Sequence, residues 1–520
     1  MTTSNKMYDM TKGNPTALLL KFSLPMVIGN IFQQFYNMVD AIVVGQFVGA
    51  NALASVGATG SITFLFFSLV IGLSSGVGII VSQYYGAKEM DKVQKTIATA
   101  IYVITISAIL MAIVTILAAR PIMEMLDTPA EIIGDSVVYL RVVGAGIIAV
   151  GIYNGTASIL RALGDSKTPL IFLIVAAILN VILDLLFVLM LNMGVLGVAV
   201  ATVISQAVSG IGCVLYAWIK MPLFHIPLKA CVMDTSIFKK CLTLGIPVAL
   251  QSSMIAISCI MLQKFVNGFG PTIMAAFTVA GRFEQLIQQP FNSLGAALAT
   301  YTGQNMGANN IERIKKGFWS AAKISTIFSL FMLPVAWFGG EGIMSLFTHE
   351  ADVIREGARG ISITCFFYSA LGMIYVTRSL LNGAGDVRFA MISGIAEVVG
   401  RVGLAKPLML VPGIGMLSIW YTTGLTWLLT AVISCIRYAG GKWMSKGIVK
   451  TSVDLDKNKR IEVNRDLNQG VNREISKKVN SEIDKELNSE INREVNKEVD
   501  SVLEVQINQA INEETKIAYN

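Results

Sequence analysis

Two acidic residues stand in stretches that are otherwise apolar. Asp184 lies in "ILNVILDLLF" (178–187), within an apolar run from about Leu170 to Leu191, and Asp40 lies in "FYNMVDAIVVGQ" (35–46). A run of that length spans a bilayer as a helix, and a carboxylate at membrane depth costs about 2.5–3.5 kcal/mol on insertion scales. Asn180 precedes Asp184 by four residues, so both side chains leave one helix face. Carboxylate, amide and hydroxyl oxygens together can replace the hydration shell of Na⁺. A carboxyl in apolar surroundings, beside a like charge, can instead take up and release a proton. The competing reading is that Asn180 and Asp184 only join helices through hydrogen bonds.

The composition sets these residues in a membrane. Of 520 residues, 54% are apolar and 14% charged, and mean hydropathy is +0.63, whereas soluble domains carry about 25% charged residues. The polar start "MTTSNKMYDMTKGN" and the long apolar run after it do not read as a cleavable signal peptide. Six scattered cysteines (213, 231, 241, 259, 365, 435) form no CxxC pair, which argues against a disulfide framework or a zinc site. His225 and His349, the only histidines, fall in connections. No enzyme, cofactor, or metal centre beyond a possible Na⁺ is therefore expected.

Apolar segments predict twelve membrane helices, at about 16–44, 53–81, 96–118, 134–158, 169–191, 195–219, 241–265, 272–301, 315–338, 357–380, 388–410 and 415–438. Basic residues gather in alternate connections: Lys88, Lys92 and Lys95; Arg161 and Lys167; Lys220, Lys229, Lys239 and Lys240; Arg313, Lys315 and Lys316; Arg388. The positive-inside rule places these connections, and with them both termini, in the cytoplasm. Arg355 is a mild exception, offset by nearby acids. The formal charge of +7 thus reflects topology and not nucleic-acid binding.

The chain also repeats. At an offset of 221, "LRALGD" (160–165) meets "LLNGAGD" (380–386), pairing Gly164 with Gly385 and Asp165 with Asp386, and "SQYYGA" (82–87) meets "GQNMGA" (303–308). "RPIMEML" (120–126) and "EGIMSLF" (341–347) share the offset, and Pro25 pairs with Pro247 at 222. Two parallel six-helix halves follow, a transporter-like arrangement with a path between them. The expected organisation is a cytoplasmic N-terminus (1–15), a first lobe (16–219), an inter-lobe loop (220–240), a second lobe (241–438) and a cytoplasmic tail (439–520). From about residue 460 the tail repeats an apolar residue every four positions, from Val463 to Ile511. That stripe winds around a straight helix and makes no heptad seam. It reads as a low-complexity segment, helical or disordered, with a partner-binding helix as the alternative.

No G-x-x-x-x-G-K-[ST] loop is present, so an ion gradient must supply energy for any movement of solute. Counting 1.5 Å per residue puts Asp40, Asp184 and Thr202 at similar depth in the outer half of the first lobe. With Asn180 they form the expected cation site. At the repeat offset Asn180 falls on Arg401 and Asp184 on Ala405, so only one lobe carries the acid. Glu397 and Arg401, four apart, can pair. The polar helix "GRFEQLIQQPF" brings Arg282, Glu284 and Gln288 to the expected cleft, with Gln33, Gln34, Asn37 and Asn154 from the first lobe. Pro25 and Pro247 offer hinges.

"SLPMVIGNIFQQFYNMVDAIVVGQFVGANALASVG", "RALGDSKTPL" and "LNGAGDVRFAM" resemble the first helix and the 4–5 and 10–11 loops of MATE (multidrug and toxic compound extrusion) transporters, over roughly residues 12–445. Asp40, Asn180, Asp184 and Thr202 match the first-lobe cation site of the family's prokaryotic DinF-like branch. The tenth helix, "ISITCFFYSALGMIYVTRSLL", lacks the acid of the NorM-like branch. The resemblance implies the two-lobed all-α MATE/MOP fold and export of amphipathic, often cationic, drug-like molecules by antiport with Na⁺ or H⁺ through alternating access. It implies a multi-pass protein of a bacterial or archaeal cytoplasmic membrane, monomeric and linked to antibiotic resistance. A lipid or lipid-linked oligosaccharide flippase is the alternative, and it would need a strongly cationic cavity.

Overall fold

A computed structural model describes residues 8–227, 231–449 and 452–517, without the side chains of 452–470 and 510–517. Lys229 of the expected basic loop, and the side chains of Val463, Leu467 and Ile511, lie outside these. Among the described residues all regular structure is helical. The helices are α1 (Pro15–Val43), α2 (Ala50–Gly86), α3 (Met90–Met125), α4 (Ala130–Ala145), α5 (Ile147–Ala162), α6 (Lys167–Leu185), α7 (Gly194–Lys220), α8 (Thr235–Asn267), α9 (Pro271–Gly307), α10 (Ile311–Ser345), α11 (Ala351–Thr364), α12 (Tyr368–Ala384), α13 (Val387–Met409), α14 (Ser418–Ala439) and α15 (Ser452–Ile517).

α1–α7 build the first lobe and α8–α14 the second. Each lobe starts on a side-chain cap: Asn14 accepts from the N–H groups of Thr16 and Ala17, and Asp234 from those of Ser236 and Ile237. Pro25 and Pro247 lie inside α1 and α8. The fourth pass of each lobe, expected as one helix, is broken in both. α4 and α5 meet at 42°, and a 3₁₀ turn, Cys365–Phe367, separates α11 from α12. The breaks match in the repeat, since α5 starts at Ile147 and α12 at Tyr368.

Among the described residues nine helical segments, or ten with the bent pair, are long and apolar enough to cross a membrane. The two further passes are α9 and α13, whose polarity comes from Arg282, Glu284, Gln285, Gln288 and Gln289, and from Arg388, Glu397, Arg401 and Lys406. Large apolar side chains such as Leu117, Ile171, Phe331, Phe338 and Ile436 point outward, while many Ser and Thr residues are buried. That inversion suits a bundle in lipid, where small and polar residues mediate helix contacts. The chain is a multi-pass membrane protein.

The repeat is visible in the turns. Gly164 (φ +96°) and Gly385 (φ +90°) both occupy the left-handed region that side chains disfavour. Their neighbours have diverged. Asp165 accepts from the N–H groups of Lys167 and Thr168, each at 3.0 Å, and so caps α6. Asp386 instead pairs with Arg437 at 2.7 Å.

Residues 450–520 form a second unit. Within it α15 is one helix, and its apolar residues, Val471 to Ile507, are exposed like their polar neighbours. As a separate unit whose apolar stripe is exposed, residues 451–520 should be removable without changing any solute flux through the rest of the chain. Flux in vesicles carrying the truncated chain, normalised to protein, checks this.

Candidate functional site

The ends of α1 and α6 hold the acids, and they end alike. A π-helical turn follows each: Val44–Val48 after Asp40, and Leu186–Met190 after Asp184. Such wide turns often mark functional sites, because they free backbone groups and shift a side chain's heading. Asp184 is fully buried at 0% exposure and Asn180 is at 1%, while Asp40 and Thr202 are half-buried.

The four expected cation-site residues converge. The carboxyls of Asp40 and Asp184 stand side by side, and Tyr36 and Tyr139 lie within electrostatic reach of both. Asn180 and Thr202 share a small cavity with Tyr36, Leu173, Ala176, Ala177, Ser205 and Gln206. Its volume open to the centre of a water-sized sphere is about 10 Å³, room for one water or one bare ion.

Polar atoms here are in excess of partners. Among the described residues both side-chain polar atoms of Asn180, both oxygens of Asp184, Asp40 Oδ1 and Ser205 Oγ are buried without a hydrogen-bond partner. Buried polar groups are normally satisfied, and an orphaned carboxylate is the costliest exception. Thr202 Oγ1 donates to the Val198 carbonyl at 3.0 Å, which leaves its lone pairs free. The oxygens thus lack donors, an arrangement that a cation or a proton would satisfy.

Tyr36, Tyr139, Ser205 and Gln206 were not expected from the sequence. Tyr36 and Gln206 had a legible signal, each one helical turn from a predicted residue, Asp40 and Thr202 respectively. Tyr139 had none, because only tertiary packing brings α4 to the site.

The second lobe departs from expectation. Glu397 does not pair with Arg401; it is bonded to Arg378 Nη2, and both groups are buried. Arg401 Nη1 instead donates to Ser258 Oγ at 3.0 Å and Cys259 Sγ at 2.7 Å. Their spacing would let Glu397 and Arg401 meet on one helix, but Arg378 on α12 takes the carboxylate, and Ser258 and Cys259 on α8 take the guanidinium. Both are buried within the lobe. Glu284 Oε1 and the Tyr368 hydroxyl are buried without partners, beside Thr364.

The remaining cleft residues differ in exposure and partners. Arg282 and Asn37 are exposed, and Gln33 and Gln34 are half-buried. Gln288 accepts from the Tyr375 hydroxyl at 3.1 Å, and Asn154 Nδ2 donates back along its own helix to the Val150 carbonyl at 2.9 Å.

Comparisons with known proteins place the chain in a family. The MatE family model matches the chain twice, over residues 25–186 and 247–405, one match per lobe. The probable multidrug resistance protein YpnP of Bacillus subtilis is 27% identical over 441 residues, covering 84% of this chain and 98% of that protein. The multidrug export protein MepA of Staphylococcus saprophyticus is 23% identical, covering 83% and 94%. A MOP superfamily transporter from Pyrococcus furiosus, described as having a binding pocket of reverse polarity that suggests a different function, shares the fold with a TM-score of 0.79. It is 22% identical and covers 85% of this chain and 99% of its own. An outward-facing multidrug resistance MATE transporter gives the same TM-score of 0.79 at 23% identity, covering 84% and 99%. With both halves matched and the two-lobed fold shared, the chain belongs to the MatE family of membrane transporters.

Proposed function

We propose that this protein is a secondary active exporter of amphipathic, often cationic, drug-like molecules, driven by inward movement of Na⁺ or H⁺ through alternating access of its lobes. The observation that carries the coupling is the donor-poor cluster of Asp40, Asp184, Asn180 and Thr202, with Asp184 and Asn180 buried, in one lobe and not the other, where Ala405 stands for Asp184. The multidrug names of YpnP and MepA support the cargo class. The basic connections face the cytoplasm with both termini, and the host membrane is the cytoplasmic membrane of a prokaryote. Coupling follows from shared occupancy: a bound cation compensates Asp40 and Asp184, and its loss exposes two adjacent like charges whose repulsion opposes the compact site. The carboxyl pair serves either ion.

The test is export from proteoliposomes under an imposed Na⁺ gradient or an imposed pH gradient, one at a time. Drug movement against its own gradient under one of the two supports the reading, and movement under neither overturns it. A flippase finds less support, because two of the second lobe's interior arginines are engaged, Arg378 by Glu397 and Arg401 by Ser258 and Cys259.

A further inference from the structure

The repeated motifs "SQYYGA"/"GQNMGA" and "LRALGD"/"LLNGAGD" play no part in the cation site. They converge elsewhere, where both lobes meet at the end of the bundle that carries residues 8–12 and 443–449. Gln83 Nε2, in the first lobe, donates to the Gly383 carbonyl of the second at 2.9 Å. Gln304 Nε2, in the second, donates to the Ala162 carbonyl of the first, also at 2.9 Å. Both donors and both acceptors are repeat partners at the offset of 221. Each glutamine's oxygen then holds a flanking peptide: Gln304 Oε1 accepts from the Met10 N–H at 2.8 Å, and Gln83 Oε1 from the Ile448 N–H at 2.6 Å.

The straps are fixed further. The Met10 carbonyl accepts from Asn305 Nδ2 at 3.0 Å and Arg313 Nε at 3.2 Å, and the Tyr8 N–H donates to the Gly164 carbonyl at 3.1 Å. Met10 and Trp443 are fully buried. The helix ends touch through their backbones: a Cβ on Gly86 would lie 1.9 Å from the Gln304 carbonyl oxygen, and one on Gly307 1.8 Å from that of Gln83. One turn deeper, a cavity of about 220 Å³ lies between the lobes, lined by the repeat pairs Ile79 and Thr300, Ser158 and Ser379, Arg161 and Asn382.

We propose that Gln83 and Gln304 are the gate residues of the transport cycle, a two-fold latch that closes this mouth by binding the opposite lobe and a terminal strap at once. Each amide crossing joins an atom of one lobe to an atom of the other, so opening this mouth must break both, whereas motion at the far mouth need break neither. The chain segments flanking the bundle thereby act as part of the door. The proposal rests on the transporter reading and identifies which residues set the balance between its two facing states.

The test uses the full chain in membrane vesicles, with Cys231, Cys259 and Cys435 replaced by Ala and a cysteine placed in the cavity by Ser75→Cys. A membrane-impermeant maleimide is added to one face at a time. Gln83→Ala or Gln304→Ala should each speed labelling from the strap-bearing face about fivefold, as expected for loss of about one net kcal/mol of hydrogen bonding. The double variant should speed it further, and labelling from the opposite face should slow. Unchanged rates in both single variants would overturn the latch. So would equal acceleration from both faces, which signals general loosening. If the chain moves no solute at all, the sidedness of labelling still reports the gate, so the two readings fail separately.

Discussion

Asp184→Asn should abolish gradient-driven export while leaving the protein folded and able to bind drug. The substitution keeps size and shape, and an amide can still make interhelical hydrogen bonds. If Asp184 were only helix glue, the variant would transport like the parent. If it holds a coupling cation, the loss removes a full negative charge from a site where both Asp184 oxygens lack a hydrogen-bond partner among the described residues. Coupling free energies of about 1–3 kcal/mol correspond to roughly 5–150-fold, and the upper end is expected because Asp184 is fully buried. Flux in proteoliposomes under the productive gradient measures the loss. Drug affinity measured without a gradient should change far less. Full gradient-driven export by Asp184→Asn would sink the coupling proposal.

What the sequence made legible follows from which physical terms are local. Membrane helices show as apolar runs because every backbone polar group must be satisfied within its own segment. The lobes show because the repeat keeps Gly164 and Gly385 at turns that demand a left-handed backbone. Asp184 stood out because a lone acid in lipid is costly wherever it packs, and counting residues was enough to set it level with Asp40 and Thr202. Helical depth, which the sequence supplies, puts these three and Asn180 at one level, while their facing one another depends on tertiary packing.

Pairing between helices is a different matter, since it depends on azimuth and on neighbours. Glu397 and Arg401 share a helix face by spacing, yet Arg378 on α12 takes the carboxylate. Tyr139 reaches Asp40 and Asp184 through the packing of α4, which no periodicity encodes. Gln83 and Gln304 were visible as a repeat, but their reach across the lobes depends on helix ends brought together at Gly86 and Gly307. The same glutamines on separated helices would read as ordinary polar residues.

The largest stability effect is expected at the buried ion pair of the second lobe. Glu397→Gln keeps the volume but leaves the Arg378 guanidinium without its anion, in a site where the two side chains are 10% and 5% exposed. Removing one partner of a buried pair costs about 3–5 kcal/mol, most of it the penalty of an uncompensated charge. Here the penalty is compounded, because Arg401 also feels Glu397 and would face Arg378 with less screening. Ser393 Oγ, which accepts from Arg378 Nε at 3.2 Å, cannot replace a carboxylate. Replacing both partners, Arg378→Met with Glu397→Met, removes the charge and its counter-charge together and should be milder than Glu397→Gln alone. Thermal unfolding in detergent, read as the midpoint for each variant, separates the two outcomes. If the double variant is the less stable, the pair contributes net attraction beyond its desolvation cost, and the second lobe depends on it in a way that Ala405 and its apolar neighbours do not replace.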